Sequence, residues 1–256
     1  MLSEQLATDE VHERESAPLG WWRLLPVLLA VSAALVALSL FLPTLVDHEL
    51  TRDRGDLRLF TYVNDEANLP TWWTVTLLVS AAVLHVQAGV LARRSGARGA
   101  AAWWVIATLL GLLALDELTA LHERLDVWGL ALTEAGFAFP WLVLGAPIAI
   151  GMIAVAVVAG RHLPRRTTML SLGGIGLLFL SAVGLEAVGG ILLGEQEGPY
   201  QGASLGYTLV MHAEEFGEMT GAALAVCGPL AALVLGRGNT EFGFALEPSP
   251  RRTAPR

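Results

Sequence analysis

The chain contains no lysine; all 16 of its basic residues are arginine. A retinal-type Schiff base is therefore excluded. One cysteine, Cys227, lies in an apolar run, so neither an intrachain disulfide nor a thiolate metal motif can form. Charge is scarce at 16% of residues, against roughly a quarter in a soluble domain. The net charge of -8, with no basic stripe, excludes nucleic acid as a partner. What fills the chain instead is apolar residues, 54% of its 256, with a mean hydropathy of +0.56. A bundle whose outside is as apolar as its core has that balance, and the partner it implies is the lipid bilayer.

A spanning helix needs about 20 largely apolar residues. Six windows qualify: 21–43, 71–91, 101–123, 139–160, 168–193 and 205–235. The expected fold is an all-α, polytopic bundle of six transmembrane helices over residues 21–236, with an outer loop at 44–69. Disordered cytoplasmic ends are expected at 1–20 and 237–256. The first 19 residues are acidic and polar, so the first window reads as an uncleaved signal anchor.

Arginine sets the orientation. With the N-terminus inside, Arg14, Arg23, Arg93, Arg94, Arg98, Arg161, Arg165, Arg166, Arg237, Arg251, Arg252 and Arg256 lie inside. Arg52, Arg54, Arg58 and Arg124 lie outside, a bias of twelve against four. All eight tryptophans fall at proposed interfaces, where an apolar ring with a polar edge is most comfortable. The predicted topology has both termini in the cytoplasm, in a bacterial inner membrane.

The first and fourth windows carry no ionisable residue in their cores. The third ends Leu115-Asp116-Glu117-Leu118-Thr119-Ala120-Leu121-His122-Glu123-Arg124. The fifth carries Glu186, and the sixth reads His212-Ala213-Glu214-Glu215-Phe216-Gly217-Glu218. At 1.5 Å per residue, Asp116 lies about 12 Å below its outer end, Glu186 at a similar depth, and His212 to Glu218 begin roughly 10 Å down. Three helices thus put their polar residues in one layer. At 100° per residue Asp116 and Glu123 share a face, while His212, Glu215 and Glu218 step around one flank.

An ionised residue at a helix centre costs about 2.5–3.5 kcal/mol to insert. Seven acids against one arginine, Arg124, demand neutralisation by protons or cations. Carboxylate and imidazole without thiolate suit iron, manganese or zinc, and two ions would remove most of the charge. Asp116, Glu123, Glu186, His212, Glu215 and Glu218 are the expected metal ligands, with His122 the next candidate and Glu214 a base beside them. The chemistry is that of di-iron carboxylate proteins, without their paired Glu-x-x-His motifs. A membrane enzyme acting on a lipid, quinone or other membrane-soluble molecule is the expected function. The alternative is a proton- or cation-coupled transporter using the same acids. A haem held by His85 and His212 is a further reading. The acidic loop 44–69, with Asp47, Glu49, Asp53, Asp56, Asp65 and Glu66, is either solvated or a funnel for cations.

Three segments also carry a resemblance. Glu66, Asn68, Pro70, Thr71 and Trp72 form an E-x-N-x-P-T-W segment. Leu115, Asp116, Glu117, His122 and Glu123 form an L-D-E…H-E segment. Glu214, Glu215, Glu218 and Met219 form an E-E-x-x-E-M segment. Together, from Glu66 to Met219, the chain resembles uncharacterised bacterial multipass membrane proteins that combine these segments. The resemblance implies a shared architecture. Metal identity, substrate and oligomeric state are left open by it.

Overall fold

A computed structural model describes residues 16–52, 54–97, 99–132, 138–193, 204–237 and 242–246. Arg14, Arg98, Arg251, Arg252 and Arg256 of the charge bias, Asp53, and most of the expected disordered ends lie outside the described residues.

The molecule is helical. Five helices are long and apolar enough to cross a membrane: α1 (Trp21–Leu45), α2 (Leu69–Arg94), α3 (Ala100–Thr119), α4 (Leu142–Gly160) and α5 (Arg165–Leu193). A sixth long helix, α6 (Leu205–Leu230), packs along α5, α2 and α1. Its three glutamates, Glu214, Glu215 and Glu218, give it a polar stretch in mid-helix.

Local chemistry explains the ends. Asn68 caps α2: its Oδ1 accepts the Thr71 backbone N–H at 3.1 Å, and Pro70 occupies the first turn, where no N–H is missed. The Asn68 amide also donates to the Tyr62 carbonyl, tying the outer loop to the helix start. α3 ends at Thr119 because Ala120 is left-handed (φ 47°), four residues before the expected window closes. α5 is interrupted by one turn of π-helix at Leu180–Leu185, directly before Glu186. Such turns are frequent at functional sites because they re-aim the residues that follow.

α5 and α6 approach closely through small residues. A Cβ at Gly221 would strike the Gly174 backbone, and one at Gly217 would strike the Ser181 side chain. Without water between membrane helices to drive association, close packing of small residues is what holds them together. This contact sets α6 at a depth where Glu214, Glu215 and Glu218 stand level with the π-turn and Glu186.

Short described stretches within the ends expected to be disordered are strands. β1 (Ser16–Pro18), β2 (Leu233–Arg237) and β3 (Phe242–Leu246) form an antiparallel sheet in the order β1-β2-β3. Ser16 pairs with Gly236, so the segment before α1 and the segment after α6 meet on one side of the bundle. The tryptophans also depart from a simple belt. Trp22, Trp72, Trp104 and Trp128 are exposed. Trp73 instead donates to Ser32 Oγ at 3.0 Å, Trp103 is buried beside His85, and Trp141 is buried.

A candidate metal centre in an acidic cleft

The helices enclose a cleft of about 700 Å3 at the end of the bundle where α3 stops and α4 starts. Ten acids line it: Asp65, Glu66, Asp116, Glu117, Glu123, Asp126, Glu186, Glu214, Glu215 and Glu218. Among the described lining residues His122 is the single basic side chain, with no arginine. Fixed negative charge in such excess is tolerated only where protons or cations compensate it.

At the mouth, Glu66, His122 and Glu123 each offer a ligand atom, all within 4.8 Å of one another. Two backbone devices place them. Ala67 is left-handed (φ 58°) and Asn68 caps α2, which turns Glu66 over the cleft. The left-handed Ala120 folds His122 back onto Asp116. The Asp116 carboxylate accepts the His122 backbone N–H at 2.8 Å and meets its Nδ1 at 3.1 Å. Asp116 thus holds His122 with both oxygens, one on its backbone N–H and one on its ring. Glu123 is reached through this turn and a short 3-10 segment, Glu123–Leu125, not along the helical face expected for it.

At His122 burial disfavours the imidazolium, but the bond and charge of Asp116, with Glu186 and Glu66, outweigh it and raise the pKa to about 9. At Glu66, on the rim, partial burial raises the carboxyl to about 7. His122 opposes that shift, and Glu123, Asp116 and Asp65 add to it.

Behind the mouth, Glu186 Oε1 accepts the indole N–H of Trp141 at 3.0 Å. The Trp141 backbone N–H in turn donates to Asp126 Oδ1 at 2.8 Å, and its ring lies 4.9 Å from that of His122. Trp141 is therefore part of the site. Its place just before an apolar helix made it look like a belt residue. Deeper in, Glu117 of α3 and Glu215 and Glu218 of α6 feel one another's charge across the cleft. Glu214 lines the same wall.

His212 is not among them. Its Nδ1 donates to the Thr208 carbonyl at 2.7 Å, so Nε2 is left to accept the Ser39 hydroxyl at 3.2 Å. Ser39 Oγ in turn accepts the Val63 N–H at 3.2 Å. Both ring nitrogens are spent: Nδ1 within α6, and Nε2 on Ser39 of α1, which in turn holds the loop at Val63. The reason is angular: six residues separate His212 from Glu218, about 120° of arc, enough to face another neighbour. His85 is closed off in the same way, by the Ala81 carbonyl at 2.7 Å and Ser171 Oγ at 3.0 Å. The haem reading loses both its ligands. The outer loop splits: Asp65 and Glu66 face the cleft, while Asp47, Glu49 and Asp56 are exposed, Asp47 in an ion pair with Arg52 at 3.2 Å.

The model of one family, Domain of unknown function (DUF8692), matches residues 24–233. The chain belongs to that family. The match runs from the first turn of α1 to the start of β2, so it takes in the long helices and the whole cleft. No curated protein and no solved structure matches the chain. DUF8692 carries no activity in its description, and the cleft's function has to be argued from its own chemistry.

Proposed function

We propose that this DUF8692 protein is a membrane enzyme whose outer cleft holds two divalent cations, iron, manganese or zinc, and acts on a membrane-soluble molecule. The observation that carries this reading is the cleft's donor set: ten carboxylates around one histidine, three donors already within 4.8 Å at the mouth. Oxygen and imidazole donors without thiolate fit those ions.

The outer ion would be held by Glu66, Glu123 and His122. With Nδ1 of His122 engaged by Asp116, Nε2 is the nitrogen free to bind, and the Asp116–His122 pair is the usual orienting arrangement behind a metal-bound histidine. The inner ion would be held by Glu215 and Glu218 with Glu117, and Glu186 stands between the two positions. Bound there, the ions would polarise a substrate oxygen or activate water or dioxygen. Glu214 is the base that takes up a proton beside them. Trp141 holds Glu186 in place, and the apolar floor of Leu78, Leu113, Leu178 and Phe179 keeps bulk water from below.

The topology belongs to this proposal. α6 is the sixth crossing, and both termini face the cytoplasm of a bacterial inner membrane. The pairing of β1 with β2 supports an even number of crossings, because it brings both ends of the bundle to one side. Reporter fusions after Arg94 and Arg166 should read cytoplasmic, and the reverse pattern would overturn it. The transporter reading needs a polar path inward. The apolar floor and the closed-off His85 favour the one-sided pocket of an enzyme.

The test is a melting curve of wild type and Glu215→Gln, each with and without chelator. Metal-held acids are ionised, so Gln should lower bound metal and, by linkage, lower thermal stability in metal-containing buffer. A wild type indifferent to a chelator that strips its metal, beside a Gln variant at least as stable, would replace the enzyme by a proton relay.

A further inference from the structure

We propose that the substrate of this cleft is a long-chain amphiphile that enters sideways from the bilayer between α3 and α4. Its oxygen-bearing head would sit at the acidic ring, and its chain would lie along the α3–α4 seam. The identity of the head rests on the metal reading above; the entry route does not.

The cleft is ordered by depth. Glu186, Glu214, Glu215 and Glu218 form the polar layer. Directly beneath it the walls turn apolar, with Leu112, Leu113, Ile148, Met152, Leu178 and Phe179. A ligand that fills this space must be polar at one end and apolar at the other.

The cleft also opens in an unusual direction. Leu112 of α3 and Ile148 of α4 both line it, yet they are 51% and 52% exposed. A residue that is wall and surface at once stands at a rim. Leu112 lies seven residues before the end of α3 and Ile148 six residues after the start of α4. Each is therefore about 9–11 Å in from its outer helix end. At that depth the rim faces hydrocarbon, not water.

A second observation follows the same seam inward. Ala101, Ala102 and Val105 of α3 and Val155, Val158 and Ala159 of α4 line a separate groove of about 600 Å3. Between cleft and groove lies Gly151, where a Cβ would meet nothing within 4 Å. Ile148, Gly151, Val155 and Val158 share one face of α4, at spacings of three and four residues. From Ile148 to Val158 that face runs about 15 Å down the helix. It is a track of open space beside small residues, continuous in direction with the cleft.

The experiment uses hexadecanoyl hydroxamic acid carrying a diazirine near the far end of its chain, with the full-length protein in lipid nanodiscs. The hydroxamate binds metal ions and the tail reports where the chain lies. Adducts are expected on Val105, Met152, Val155 and Val158. They should fall several-fold in Gly151→Trp, which puts a bulky side chain where a Cβ meets nothing within 4 Å, and in the presence of excess acetohydroxamate. Labelling spread equally over Val79 and Val83 on the lipid-facing side of α2, or unchanged by Gly151→Trp, would overturn the route. Metal content is measured on the same samples. Metal-loaded protein without seam adducts overturns the route alone. Seam adducts on a metal-free protein overturn the metal reading and leave the route standing.

Discussion

Replacing Asp116 with Asn changes one atom and tests the link between fold and site. The carboxylate holds His122 twice, through its backbone N–H at 2.8 Å and Nδ1 at 3.1 Å. Asn keeps an oxygen for the backbone N–H. Its amide NH2, however, now faces Nδ1 and can only donate to it. The neutral ring must then carry its proton on Nε2, the nitrogen that the outer ion needs. Hydrogen bonds to charged groups contribute about 1.5–3 kcal/mol, and this pair is partly exposed, so a stability loss of about 1–2 kcal/mol is expected. Metal affinity should fall about 10–100-fold, the usual cost of removing such a partner. The pH dependence should change as well. In the wild type a proton competes for His122 up to its pKa of about 9, so affinity rises with pH across that range. Without the Asp116 charge that pKa falls, and affinity should level off at lower pH. The assay is competitive zinc or manganese titration against a chelator at several pH values, with melting curves alongside. An Asn variant with wild-type affinity and wild-type pH dependence would refute the role given to Asp116.

Three further perturbations follow from the geometry. Gly145→Ala puts a Cβ into the Trp141 ring, so it should displace Glu186, lower the melting temperature and weaken metal binding together; normal metal binding would separate Trp141 from the site. Gly221→Leu forces α5 from α6 at their closest approach and should cost several kcal/mol, in the range of severe overpacking, read as loss of the folded monomer from detergent extracts. Glu66→Gln should stabilise metal-free protein above about pH 7. A carboxyl raised from 4.5 to about 7 contributes stability that is full below pH 4.5 and lost as pH rises through 7, and Gln removes that loss. With metal present the same variant should be the less stable one; a melting temperature insensitive to both pH and metal would remove Glu66 from the site.

Much of this was legible in the sequence because membrane helices obey few rules. Twenty apolar residues define a span, and counting 1.5 Å per residue puts Asp116, Glu186 and Glu214–Glu218 in one layer. The helix ends were less legible. The left-handed Ala120 and Ala67 carry no glycine to announce them, yet they turn His122 and Glu66 into the mouth. His212 shows the limit of helical angles. They relate residues on one helix, but the partner across the way is set by packing, here Ser39 on α1. Trp141 shows the same for composition: a tryptophan at an interface and one holding a buried carboxylate look alike until the neighbour is known. The E-x-N-x-P-T segment gains a physical reason, since Asn68 and Pro70 start α2 and so fix Glu66.

The central claim is that the acidic cleft is a two-cation site. Elemental analysis of the purified protein, reconstituted with iron, manganese or zinc and freed of loose ions, tests it most directly. The account predicts about two ions per chain in wild type and about one or fewer when Glu215 and Glu218 are both replaced by Gln, with His212→Ala at wild-type content. Wild-type protein without bound ions under all three metals, or with a content unchanged by the paired Gln substitution, would contradict it.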